Sequence, residues 1–163
     1  MLTGAGALII CQNKIVLGLD WTATFADFGG KCDKNDSLLK TASKELFEET
    51  SMLFSITPEK LSEKTFIDLD RYRCYLIKTN CNAENIIKEF IINKDIIDKR
   101  ENEWNEVSIL VAYEYKYLKI IPLRTRTKKI LYQLSEKLLE SLSLTHGIKT
   151  IDESTGITTY YFK

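Results

Sequence analysis

The chain has no net charge, a single histidine and no long apolar run in its 163 residues. Its 23 basic residues balance its 23 acidic ones, so no global field draws it to nucleic acid or to an anionic membrane. A local basic patch is still allowed. The longest apolar stretches, such as residues 7–11 and 108–112, are strand-length, and no transmembrane helix is expected. The N-terminus lacks the positive segment, apolar run and small-residue cleavage site of a signal peptide, so a cytoplasmic address is expected. The cysteines, Cys11, Cys32, Cys74 and Cys81, form no close pair with metal-ligand spacing. They fit reduced structural thiols better than a zinc site or a disulfide framework. The one histidine, His146, lies beside Gly147 near a predicted turn. Any general base is therefore expected to be a carboxylate. No repeat, low-complexity tract or linker interrupts the chain, and one domain over residues 1–163 is expected.

What is present reads as alternating hairpins and helices. Residues 8–11 and 15–19 are apolar runs around Gln12-Asn13-Lys14, an antiparallel hairpin. Residues 21–30 are irregular and end in a Gly-Gly pair, which reads as a loop. Residues 37–51 read as a helix capped by Asn35 or Asp36, with Pro58 soon after its end. Residues 66–69, 72–78 and 107–112 read as strands, and residues 85–97 as a helix with Ile86, Ile87, Phe90 and Ile97 on one stripe. Residues 125–142 read as one long amphipathic helix that turns Ile130, Leu131, Leu134, Leu138 and Leu142 inward. Residues 148–151 and 157–162 flank a second hairpin turn. The expected class is α/β, an α/β/α sandwich on a mixed β-sheet.

The chemistry concentrates in residues 30–52. On the predicted helix, Leu38, Leu39, Ala42 and Leu46 share one arc at about 100° per residue. Glu45, Glu48 and Glu49 share the adjacent arc, one turn apart. Glu49 falls at the edge of the apolar stripe, where an unpaired charge is costly to bury. Three neighbouring carboxylates also repel one another. A divalent cation relieves both problems, and oxygen ligands favour Mg²⁺ or Mn²⁺ over zinc. The plainer reading is an acidic solvated face, with Lys44 and Glu48 as an i,i+4 pair. Against it stands the Gly-Gly turn just upstream, preceded by Phe28, whose backbone carbonyls can fold back toward the carboxylates.

This stretch resembles the Nudix box, the signature of the Nudix hydrolases. Gly30 takes the first place, Glu45, Leu46, Glu48 and Glu49 match, and Met52 fills the last apolar place. Asp36 stands where Glu is usual, Lys44 where Arg is usual and Ser51 where Gly is usual, with the spacing intact. Phe28-Gly29-Gly30-Lys31 is similar to the family's usual lead into the box. The resemblance implies a Nudix-like α/β/α sandwich whose loop–helix–loop holds metal against a diphosphate. It implies Glu48 and Glu49 as principal ligands, a carbonyl of Gly30 nearby, Glu45 as a further ligand or the base that activates water, and Lys44 as the residue that orients Glu45. Lysine offers a point charge in place of the planar fork of arginine. A left-handed backbone at Ser51 would cost about 1–2 kcal/mol.

Beyond the box, the resemblance implies a late carboxylate, Glu103 first and Glu106 second, among Glu101, Glu103 and Glu106 beside Trp104. Trp21, Phe25 and Phe28 could stack on a base, although core packing is the commoner fate of such rings. Arg124, Arg126, Lys128 and Lys129 cluster at a helix start, where positive charge opposes the macrodipole. They read as a solvated face or as contacts to substrate phosphate or RNA. The expected function is Mg²⁺- or Mn²⁺-dependent cleavage of a diphosphate linkage in a nucleoside diphosphate derivative, a small nucleotide such as a nucleoside triphosphate first. Hydrolysis of capped RNA is the alternative enzyme reading, with dinucleoside polyphosphates and nucleotide sugars also open. A non-catalytic, nucleotide-sensing module is the rival of a different class.

Overall fold

A computed structural model describes residues 1–99 and 107–163. In chain order the elements are β1 (Gly4–Cys11), β2 (Lys14–Asp20), β3 (Phe25–Ala26), β4 (Phe28–Lys31), α1 (Leu38–Glu49), β5 (Phe54–Ser55), α2 (Pro58–Leu61), β6 (Phe66–Asp68), β7 (Tyr72–Thr79), α3 (Ala83–Asp98) and β8 (Val107–Glu114). A 3-10 segment at Tyr115–Ile120 leads to α4 (Thr125–Gln133), α5 (Glu136–Ser141), β9 (Leu144–Thr145), β10 (Gly147–Ile151) and β11 (Thr158–Phe162).

β1 is buried along its whole length and organises the larger sheet. One of its edges runs parallel to β7, from Gly4 opposite Tyr72 to Cys11 opposite Thr79. Its other edge is divided. Ile9–Cys11 of β1 pair with β2, whereas Gly4 to Ala7 pair antiparallel with β4. β2 splays away and pairs with β3 through Gly18 and Leu19. The wedge between β1 and β2 is therefore filled by β3 and β4, with Asp27 at the point where the chain changes partner. β8 covers the outer edge of β2, and β5, β10 and β11 make a second, three-stranded sheet.

Strand alternation divides the core into two layers. Ala5, Ala7, Ile9, Val16, Tyr75 and Ile77 face one side and pack with Ala42 and Leu46 of α1 and Ile86 and Phe90 of α3. Leu8, Ile10, Ile15, Leu17, Cys74 and Leu76 face the other and pack with Ile130 and Leu131 of α4. Helices on both faces of a mixed sheet make the α/β/α sandwich that the sequence predicts.

Three local expectations differ from the structure. Residues 21–30 are more than a loop, because β3 and β4 lie within them. α1 is capped by Ser37, whose hydroxyl accepts from the Lys40 N–H at 3.0 Å, in place of Asn35 or Asp36. The long helix over residues 125–142 is two helices. Leu134 leaves the helical region at ψ 147°, and Ser135 caps α5 by accepting from the Leu138 N–H at 3.1 Å.

Candidate active site

The Gly-Gly pair is accounted for by what lies on each side of β4. A Cβ on Gly29 would meet the Tyr72 hydroxyl at 1.8 Å, and one on Gly30 would stand 3.0 Å from Cδ and Oε1 of Glu45. Gly29 thus lets a phenol cross one face of the strand, and Gly30 lets the α1 carboxylate lie against its backbone on the other. Between them the backbone turns toward the helix, and the Gly29 N–H donates to Oε1 of Glu49 at 2.6 Å.

Glu45, Glu48 and Glu49 are all partly buried on α1. Burial pushes the Glu49 carboxyl up to about 9, and the charge of Glu45 adds to the rise. Arg126 and the Gly29 N–H pull it down without offsetting the rise, and Asp27 raises it further. Among the described residues, no three carboxylate, histidine or cysteine side chains form a closed ligand set for a metal. An open set of one or two carboxylates and a carbonyl, completed by water and phosphate, is what Mg²⁺ requires. Two neighbouring, partly buried carboxylates beside the Gly29–Gly30 backbone supply oxygen ligands of the kind such a cation takes.

α1 ends in a Schellman turn. The Met52 N–H donates to the Phe47 carbonyl at 2.8 Å and the Ser51 N–H to that of Glu48 at 3.1 Å. Ser51 has φ 52° and Met52 φ 65°, so the residue in the usual glycine place does take the left-handed backbone. Asn93 of α3, fully buried, holds this turn. Its Nδ2 donates to the carbonyls of Ser51 at 2.9 Å and Thr158 at 2.7 Å, and its Oδ1 accepts the Thr158 N–H at 2.9 Å.

A buried polar group behind the carboxylates was not anticipated. Asp27 accepts from the Tyr72 hydroxyl at 2.6 Å, from the Thr127 hydroxyl and from Arg126 Nε at 3.2 Å. Arg126 Nη2 also donates to the Asp27 carbonyl at 3.2 Å, and its guanidinium lies 4.4 Å from the centre of the Tyr72 ring. Burial, followed by the charge of Asp27, raises the Tyr72 phenol well above its ordinary value, which keeps it a donor. The basic cluster at the start of α4 is thus not one solvated face. Arg126 is enclosed, whereas Arg124, Lys128 and Lys129 are exposed. The one sequence signal was the unfavourable sign of that charge at a helix start, which a buried Asp27 offsets.

The remaining expected residues fall at different places. Lys44 is exposed, and its ammonium lies 3.0 Å from Asp33 Oδ2. Hydrogen bonding to Asp33 raises its pKa, with the charges of Asp33 and Glu48 adding to the effect. Asp36 pairs with Lys40 at 3.0 Å. Phe28, expected as a ligand contact, is 0 % exposed; its ring fills the α1-side core and has no face left to stack. Trp21, in the turn before β3, is 85 % exposed. Arg124 lies beside β3, its backbone N–H donating to the Phe25 carbonyl at 2.9 Å. Glu101, Glu103, Trp104 and Glu106 lie outside the described residues. No helix among the described residues is long and apolar enough to cross a membrane.

No protein-family profile matches the chain, and no curated protein matches it. Solved structures do. DR0079 from Deinococcus radiodurans aligns over 81 % of this chain and 81 % of its own, at 8 % identity and a TM-score of 0.53. The E. coli dihydroneopterin triphosphate pyrophosphohydrolase aligns over 82 % of this chain and 97 % of its own, at 9 % identity and a TM-score of 0.50. A MutT NUDIX hydrolase from Burkholderia pseudomallei aligns over 81 % of this chain and 96 % of its own, at 17 % identity and a TM-score of 0.50. The likeness is one of architecture: the chain has the fold of the Nudix hydrolases.

Proposed function

We propose that the protein is a Nudix hydrolase that cleaves the diphosphate linkage of a nucleoside diphosphate derivative, most simply a small nucleotide such as a nucleoside triphosphate. The carrying observation is the Glu45–Glu49 face of α1 with the Gly29–Gly30 backbone laid against it, and Glu49 driven up to about 9 by burial and by the neighbouring charge of Glu45. Glu48 and Glu49, with the Gly30 carbonyl, would hold Mg²⁺ or Mn²⁺, and Glu45 would be a further ligand or the base. The cation would neutralise charge on the phosphoryl oxygens. Water would attack one phosphorus and give up its proton to the carboxylate that serves as base, and the bridging P–O bond would break with its electron pair on the departing phosphate oxygen. Gly29, by fixing Glu49, keeps the carboxylates on one face. Lys44, held on Asp33 beside Glu48, adds a positive charge at the outer rim. Glu103 remains the proposed late carboxylate.

The capped-RNA alternative rested on four clustered basic residues. One of them, Arg126, is engaged by Asp27, which favours the small nucleotide. A product-release screen over nucleoside triphosphates, dinucleoside polyphosphates, nucleotide sugars and capped RNA, with Mg²⁺ and with Mn²⁺, tests the reading. Turnover of a small nucleotide that stops on chelation supports it. Turnover of capped RNA alone would move the assignment to decapping, and tight nucleotide binding without turnover in any class would move it to a sensing module.

A further inference from the structure

An open cavity of about 580 Å³ lies between α4 and the β6–β7 turn, lined by Asp68, Asp70, Arg71, Tyr72, Arg126 and Lys129, among others. Tyr72 lies on the face of β4 opposite Glu45, so the cavity opens away from the carboxylate face of α1, although the charge of Arg126 at its inner wall still acts on Glu49.

The charge of the cavity is not what its composition suggests. Asp68 is engaged by Arg73, whose Nε and Nη2 reach its two oxygens at 2.7 and 2.9 Å. Arg71 and Lys129 have no ion-pair partner among the described residues, and of the acids only Asp70 is left to oppose them. Arg126 forms the inner wall. Its Nε and one Nη2 proton are used on Asp27, and its Nη1 donors meet no protein acceptor among the described residues. The Tyr72 ring beneath fixes the plane of the guanidinium. A planar guanidinium with idle donors, enclosed, immobilised and flanked by two free cations, matches the geometry of a phosphate oxygen pair.

We infer that this cavity is an anion site that takes a phosphate group, with Arg126 as the fixed donor and Arg71 and Lys129 as mobile cations at its rim. The group is either inorganic phosphate or the phosphate of a nucleotide. The site does not depend on the hydrolase reading, since it needs neither metal nor turnover.

The test is calorimetric titration of the full chain with inorganic phosphate and, separately, with a nucleoside monophosphate, both in chelator. Saturable binding that weakens with added salt is expected. Arg71→Ala with Lys129→Ala, both exposed and safe for folding, should lower the affinity roughly tenfold. Arg126→Lys, which keeps the charge and loses the fork, should lower it as well. Lys149→Ala, which removes an exposed cation of the second sheet, should leave it unchanged. Equal affinity for the two probes marks free phosphate as the ligand; tighter binding of the nucleoside monophosphate marks a nucleotide. Non-saturable binding, binding indifferent to the rim substitutions, or binding weakened as much by Lys149→Ala would overturn the assignment.

Discussion

The Gly29 N–H and Oε1 of Glu49 meet at 2.6 Å, tying a strand residue to a helix residue twenty positions further on. The bond fixes one oxygen of Glu49 in the plane of the sheet edge. A substitution that keeps the shape of the side chain and its acceptor oxygen therefore tests charge alone. Glu49→Gln should fold normally, because the amide oxygen still accepts from Gly29. Its Mg²⁺ or Mn²⁺ affinity should fall on the order of a hundredfold. Calorimetric titration of both proteins with Mn²⁺ decides; equal affinities would remove Glu49 from the ligand set.

The same carboxyl predicts a pH dependence. Its value rises from 4.5 to about 9, mainly through burial, so below pH 9 the native metal-free protein holds a proton there. Over that window the native state binds more protons than the unfolded chain, and metal-free stability should fall as pH rises. Metal must displace the proton, so metal affinity should rise about tenfold per pH unit until the titration ends. Thermal melts and metal titrations at several pH values check both slopes. Both should flatten in Glu49→Gln, and a wild-type affinity independent of pH would contradict the titration.

Much of the box was legible because its information is local. The i, i+3, i+4 spacing puts Glu45, Glu48 and Glu49 on one arc whatever the tertiary context, and the left-handed turn at Ser51 was legible only through the resemblance, because Ser51 stands where the box has Gly. β3 and β4 were not legible, since two and four residues give too short a pattern to read as strand. The break after Gln133 was hidden because Leu134, Leu138 and Leu142 keep a helical period across it. Ser135 followed by Glu136 was the overlooked start signal. The pairing of Asp27 with Arg126 spans 99 residues and leaves no periodic trace.

Ser51 should be improvable. At φ 52° a serine bears a steric cost that glycine does not, partly repaid by its lower unfolded-state entropy. Ser51→Gly should stabilise by about 1 kcal/mol in urea unfolding. Asn93→Ala should act in the opposite direction, because it strips the Ser51 and Thr158 carbonyls of their buried donor. A loss of about 2 kcal/mol is expected. Equal stability of Ser51→Gly and wild type would mean that the left-handed turn is not strained.

Asp27 and Arg126 should behave as a coupled pair. Asp27 has no exposed side-chain surface and Arg126 little, so the ion pair is held in a medium that screens poorly. Asp27→Asn keeps one acceptor oxygen, enough for Thr127, but sets an amide donor opposite the Tyr72 hydroxyl and leaves the guanidinium without its counter-charge. A loss of about 3 kcal/mol is expected. Arg126→Met leaves the Asp27 carboxylate unpaired and should cost a similar amount. The two together remove both charges, so neither is left buried and unpaired. The double variant should therefore be less destabilised than the sum of the two, by an amount set by their direct interaction. Urea unfolding of the four proteins measures that difference. Strict additivity would show that Asp27 and Arg126 contribute separately and that the ion pair does not pin α4 to the strand wedge.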